Sequence, residues 1–232
     1  MEAAMRHQEA EYTDLRGRIA GMGDAVSRMV SDSVRSLVER DDELARDVIQ
    51  RDDSIDHMDV EIDEHCLRIF ALYEPKAIDL RFIIAATRII VDLERIGDHC
   101  VDICKEVLKL NRVPQVKPYI DLPRMGELAA KMVVDSVNAY LEKDADGSIS
   151  LIRRDDEVDH LNNQILRELV TYLVEDLRKN QAVFSLMLVA KGLERIADYT
   201  TNIAENVYFM VSGNIIRHIP LEEAEHETDT GH

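Results

Sequence analysis

Leu93-Glu94-Arg95-Ile96-Gly97-Asp98 returns one hundred positions later as Leu193-Glu194-Arg195-Ile196-Ala197-Asp198. A return of this kind marks an internal repeat, which decides the fold before any local reading does. Three further pairs extend it, all at an offset of 103. Arg51-Asp52-Asp53-x-Ile55-Asp56-His57 matches Arg154-Asp155-Asp156-x-Val158-Asp159-His160. The stretch from Met29 to Val34 matches that from Met132 to Val137, and Met22-Gly23-Asp24 matches Met125-Gly126-Glu127. Order and spacing hold along the chain, with one net three-residue deletion. The expectation is a duplicated three-helix unit, residues 10–113 and 114–217, related by a pseudo-twofold axis, with a disordered acidic tail over 218–232.

Composition agrees with helices. The 232 residues include only 9 Gly and 5 Pro, no Trp and 5% aromatics, while 46% are apolar. Few turn formers and many helix formers read as all-α. Leu93, Ile96, Cys100, Ile103 and Val107 recur at the spacing of one buried helix face, and Ile55, Ile62, Cys66 and Ile69 do the same. Six long helices are predicted, over 10–39, 41–73, 76–111, 121–143, 148–178 and 181–212. Rods of that length make a bundle.

Charge excludes several classes. Lys and Arg number 28 against 46 Asp and Glu, for a net charge of −18. Nucleic-acid binding and polybasic membrane attachment both need the opposite sign. No run approaches the roughly 20 apolar residues of a membrane span, and Met1-Glu2 opens no basic-then-apolar leader. Three widely spaced cysteines, Cys66, Cys100 and Cys104, fit a reducing compartment, so the cytoplasm is expected. Cys100 and Cys104 lie on the apolar face and read as small core residues.

The chemistry-bearing residues are carboxylates. Glu94, Asp98 and Asp102 stand at i, i+4 and i+8, drifting only about 40° per step around a helix. They form one stripe, expected roughly opposite the core face. Asp52, Asp56, Asp59 and Asp63 form another. The second unit keeps Asp155, Asp159, Glu194 and Asp198 but places Asn162 and Asn202 where the first has Asp59 and Asp102. Like charges one turn apart destabilise a helix. Two readings follow: solvated acidic faces, or oxygen-ligand sites for hard cations, iron or manganese. Arg95 and Arg195 offer neutralisation without any metal. Glu157-x-x-His160 has the form of a di-iron ligand pair, yet the first unit has Ser54-x-x-His57 at that place, and Glu223-x-x-His226 lies in the tail. No Gly-rich phosphate loop and no nucleophile elbow occurs. The pattern points to a binding or regulatory module rather than an enzyme.

On these residues the chain resembles the PhoU family. The resemblance rests on Leu93 to His99, on Leu193 to Val207, on the two Arg-Asp-Asp segments and on Pro75-x-x-x-Asp79-Leu80-Arg81, and spans roughly residues 10 to 218. It implies a cytoplasmic, often dimeric adaptor between the phosphate-specific ABC transporter, through its ATPase subunit, and a sensor histidine kinase. It implies negative regulation of phosphate uptake and of the starvation response. Some members carry multinuclear iron or zinc clusters on the Glu-x-x-x-Asp helices. By that resemblance Glu94 and Asp98 would serve one site and Glu194 and Asp198 the other, with Asp52, Asp56, Asp155 and Asp159 as further ligands. Ala197 for Gly97, Tyr199 for His99 and Asn202 for Asp102 depart from symmetry and predict weaker metal binding in the second unit. The alternative reading is a carboxylate-rich metal-handling protein. A surface this acidic is also expected to lack a dedicated phosphate pocket.

Overall fold

The computed structural model describes residues 2–214, with side chains from residue 7 onward. Residues 215–232 lie outside it, and with them the predicted disordered tail. Six α-helices follow one another: α1 Glu2–Glu39, α2 Asp42–Tyr73, α3 Ile78–Leu110, α4 Asp121–Glu142, α5 Ala145–Glu175 and α6 Asn180–Ser212. A 3-10 turn, Leu177–Lys179, precedes α6, and there is no strand among the described residues. The fold is all-α, two tandem three-helix bundles related by a pseudo-twofold axis.

Local chemistry sets the boundaries. Asp41 caps α2 by accepting from the Glu43 and Leu44 amides, which satisfies two of the orphan donors at a helix start. Asp144 caps α5 through the Gly147 amide. The sequence pattern predicts this helix to begin at 148, just after Gly147. The glycine instead belongs to the first turn, where a Cβ would meet the Asp144 carboxylate. The same helix stops at 175 rather than 178 because Asp176 is extended, at φ −150°. The junctions also differ in cap chemistry. Arg40 closes the end of α3, donating to the carbonyls of Leu110, Asn111 and Val113 at 3.1, 2.9 and 2.8 Å. Arg81, the arginine of the Pro75-x-x-x-Asp79-Leu80-Arg81 motif, closes the end of α6 by donating from Nε to Met210 O at 2.9 Å.

Within each unit the three helices pack on one another, and the units meet through α1 on α4 and α3 on α6. The α1–α4 contact explains the repeated glycines. A Cβ on Gly23 would stand 2.7 Å from Val137 Cγ2, and one on Gly126 would stand 2.5 Å from Val34 Cγ2. Both partners of one contact are repeat equivalents of the other's, so the contact is reciprocal, as a twofold axis requires. Residues near the axis touch their own equivalents. Ser27 donates to Ala130 O at 3.1 Å, and the rings of His99 and Tyr199 lie 5.6 Å apart. One continuous apolar core runs through both units, from Leu15 and Ile19 on α1 to Val207 and Met210 on α6.

The close approach yields a stability prediction. Gly126→Ala gains helix propensity of up to about 1 kcal/mol, but it also forces the new methyl against Val34, whose own Cβ would lie at 3.1 Å. A rotamer change cannot relieve that contact. Urea denaturation is expected to show a net loss of about 1–3 kcal/mol, partly recovered by Val34→Ala in the same chain. An unchanged or raised midpoint for Gly126→Ala would refute the tight seam.

Candidate functional site

The repeated carboxylates converge where α2 meets α3 and where α5 meets α6. In the first seam Asp52, Asp56 and Asp59 on α2 face Glu94 and Asp98 on α3, near enough for their charges to interact. In the second, Asp155 and Asp159 on α5 face Glu194 and Asp198 on α6. The first departure from the sequence reading is burial. The Glu94–Asp98 edge was expected opposite the core face, yet Glu94 retains only 26% of its side-chain exposure and Glu194 only 12%. The neighbouring helix packs against that edge and covers the glutamates, while Asp98 and Asp198 keep 44% and 39%. The second departure is Asp102. Two steps of drift carry it out of the seam, so it is exposed, pairs with Lys105 at 3.1 Å and borders the α3–α6 groove instead. Asn202 is half-buried at the equivalent position.

Burial of like charges raises their proton affinity. Desolvation, then the charges of Asp56 and Asp98, push the Asp52 carboxyl up to about 6. Desolvation, then Asp198, Asp159 and Glu194, push Asp155 up to about 7. Asp59, Glu94 and Asp198 are raised as well, burial again being the first cause. Gly97 matters here: a Cβ would stand 3.0 Å from Asp52 Oδ1. The second unit has Ala197 at that place, fully buried.

Among the described residues, the cations that pair with these carboxylates sit at the outer edge. Arg95 reaches Glu94 at 3.5 Å and Asp98 at 3.1 Å. Arg195 reaches Asp198 at 3.5 Å, and Lys191 pairs with Glu194. These leave Asp59 Oδ1, Asp155 Oδ1 and Glu194 Oε2 buried without a hydrogen-bond partner, together with Asn162 Oδ1 at the position equivalent to Asp59. Unpartnered buried oxygens are costly. An all-oxygen, anionic donor set with such orphans fits a hard or borderline cation. Among the described residues, however, no three acidic, imidazole or thiol groups stand close enough to form a cage as they are. The donors fit a metal in chemistry and charge, in an open arrangement.

The other candidates lie elsewhere. His57 and His160 are exposed, and Glu157 is engaged by Arg124 at 2.8 Å, so the Glu157-x-x-His160 motif faces solvent. Burial pushes the Cys66 and Cys104 thiols up to about 12 and raises Cys100 well above the usual thiol range, which leaves them protonated core residues. Sequence reading passed over His65, which is buried and binds Glu11 through Nε2 at 2.7 Å, tying α2 to α1. It also passed over a groove of about 720 Å³ between α3 and α6, bordered by Lys105, Lys109, Arg112, Lys191 and Arg195. The recurrence of Lys105, Lys109 and Arg112 along one helix face was the available signal.

Comparison with known proteins agrees with this architecture. The family model described as the PhoU domain matches twice, over residues 19–107 and 122–207. The chain belongs to the PhoU family. The phosphate-specific transport system accessory protein PhoU homolog of Pseudomonas aeruginosa is 37% identical over 221 residues, covering 95% of this chain and 91% of the relative. Its Escherichia coli K12 counterpart is 33% identical over 214 residues, covering 92% and 89%. The crystal structure of PhoU from Pseudomonas aeruginosa superposes with a TM-score of 0.85 over 89% of this chain and 99% of that one, at 37% identity. That of the phosphate transport system regulatory protein PhoU from Streptococcus pneumoniae gives 0.82 at 29% identity, over 90% and 98%. The two PhoU-domain matches fall on the two bundles, each with its own carboxylate seam.

The raised carboxyls predict a pH dependence of the chelator-treated protein. From pH 4 to pH 7 the native state keeps protons on Asp52 and Asp155 that the unfolded chain has already lost. Their contribution to stability is therefore full below pH 4 and disappears as pH rises through about 6 to 7. Asp52→Asn with Asp155→Asn is expected to raise the midpoint of thermal unfolding at pH 7.5 by about 2–4 °C and to flatten its fall between pH 5 and 7.5. A lower midpoint for the variant at pH 7.5 would contradict the repulsion.

Proposed function

We propose that this chain is an accessory regulator of a phosphate-specific transport system. In this reading it is a cytoplasmic adaptor without turnover, which restrains uptake and the starvation response when phosphate is plentiful. Its partners are the ATPase subunit of the phosphate ABC transporter and a sensor histidine kinase, and it works as a homodimer. The observation that carries the reading is the match of both bundles, at 33–37% identity over most of the chain, to proteins named as accessory to that transport system. No helix among the described residues is long and apolar enough to cross a membrane, which leaves membrane events to such partners.

The two carboxylate seams hold cations in this reading, iron or zinc. Glu94 and Asp98 with Asp52 and Asp56 serve one; Glu194 and Asp198 with Asp155 and Asp159 serve the other. A bound cation supplies positive charge that the edge arginines cannot bring inside. The chain's residues do the rest: Arg95 and Arg195 screen the rim, while Asp59 and Asn162 offer spare oxygens below it. The orphaned oxygens also favour a second reading, a metal-handling helical protein with no signalling output.

Two experiments separate these. Deleting the gene is expected to leave phosphate-repressed phosphatase activity high in phosphate-rich medium; unchanged repression would favour metal handling. Replacing Glu94, Asp98, Glu194 and Asp198 by Ala is expected to abolish bound iron or zinc and to weaken regulation together. Metal loss with intact regulation would remove the clusters from the signalling role. Phosphate itself is expected to act through partners or bound metal. Titration calorimetry of the chelator-treated protein should show no micromolar phosphate binding, and a micromolar constant would overturn that part.

A further inference from the structure

The groove between α3 and α6 is strongly cationic on a chain of net charge −18. Lys105, Lys109, Arg112, Lys191 and Arg195 border it against only Asp102 and Glu106. The fold does not require those cations. At the equivalent positions on the other side of the pseudo-axis, one hundred residues away, stand Glu205, Phe209, Ser212, Val91 and Arg95. Four of the five cations are therefore particular to this half. Lys191 and Arg195 also reach Glu194 and Asp198 at the rim of the second seam, whereas the α3 lysines are held loosely. Lys105 pairs with Asp102 and Lys109 with Glu106, one turn back on the same helix, and each lysine keeps more than half its exposure. Such pairs contribute only a few tenths of a kcal/mol. Arg112 is exposed and has no ion pair among the described residues. Ile103, Leu108 and Leu188 line the same groove, and Leu188, with Phe184 one turn earlier, is an exposed apolar side chain.

An anionic occupant is available in the same chain. Glu222, Glu223, Glu225, Glu227 and Asp229 fall within one stretch of eight residues that begins ten residues after α6, preceded by Leu221. Their reach fits. The two helices run antiparallel, as the contacts of Arg81 with Met210 and of Glu106 with Ser185 require. Gly213 therefore leaves α6 beside Arg81, where a Cβ would stand 3.6 Å from Nη1. At 1.5 Å per residue, the cations along α3 lie between about 27 Å, level with His99, and about 46 Å, level with Arg112. At no more than about 3.4 Å per residue, Glu222 can lie up to about 31 Å from Gly213 and Asp229 up to about 54 Å. The acids span the interval that the cations occupy.

We propose that the α3–α6 groove is a docking surface for an acidic segment and that its resident occupant is residues 221–229 of the same chain. Tethering makes the encounter intramolecular, so weak charge pairs are enough to populate it. A partner with an acidic segment of its own would have to displace the tail before using the groove.

The test uses the full chain. Cys66, Cys100 and Cys104 are buried, so a nitroxide on Thr228→Cys labels selectively. Paramagnetic attenuation is expected to remove more than half the amide signal at Lys105, Lys109, Arg112 and Lys191 while sparing α1 and α4. Lys105→Glu with Lys109→Glu and Lys191→Glu, all exposed substitutions, should abolish the effect with an unchanged circular dichroism spectrum. Salt at about 1 M should abolish it too. Attenuation spread evenly, centred on another face, or preserved in the triple variant would overturn the proposal. So would attenuation seen only between labelled and unlabelled copies, which would make the occupant a second molecule's tail.

Discussion

The reciprocal contact of Gly23 with Val137 and of Gly126 with Val34 fixes the geometry on which the rest depends. Two helices this close leave no space for a Cβ at the crossing. The contact lies next to the pseudo-axis, marked by Ser27 against Ala130 on one side of the molecule and His99 against Tyr199 on the other. With α1 held to α4, α3 and α6 lie side by side. Their buried faces join one core, and their flanks turn toward α2 and α5. Those flanks carry the Glu-x-x-x-Asp pairs. The packing of small residues thus places two carboxylate edges in two seams, once in each repeat.

Electrostatics then separates by place. In the seams, carboxylates crowd together with cations only at the rim, and burial pushes Asp52 and Asp155 up to about 6 and about 7. A fold selected for stability alone would have no reason to keep four unpartnered oxygens in these seams, one pair of them, Asp59 and Asn162, at equivalent places in the two repeats. Between the seams the sign reverses along one half of the α3–α6 groove. Duplication supplied the symmetric frame. Substitution on it made the second seam differ through Ala197 and Asn162, and made one half of the groove cationic through Lys105, Lys109, Arg112 and Lys191.

Much of this was legible in the sequence because helical repeats write their packing as periodicity. The offset of 103 identified α1 with α4 and α2 with α5, and the apolar spacing of Leu93, Ile96 and Cys100 identified the buried face of α3. What periodicity cannot carry is which neighbour lies beside a given edge. Glu94 and Asp98 were placed away from the core because the helix alone has only two faces; α2 supplies a third environment between them. Asp102 was grouped with them because a drift of about 40° per turn looks small until a neighbouring helix ends the seam. The groove was only half legible for a related reason: Lys105, Lys109 and Arg112 recur at helical spacing, but Lys191 and Arg195 come from α6, far away in sequence and brought beside them by the antiparallel crossing. The start of α5 at Ala145 rather than 148 was hidden because a glycine inside a capped first turn looks like a stop.

A cation entering the seams as proposed must displace the protons that burial keeps on Asp52 and Asp155. Titration calorimetry of the chelator-treated protein with Zn²⁺, repeated in buffers of different ionisation enthalpy, counts the protons released. The account predicts saturable binding with net proton release at pH 6, as Asp52 and Asp155 give up their protons, falling to nearly none at pH 8. Absence of saturable binding, or a proton count that does not change with pH, would contradict it.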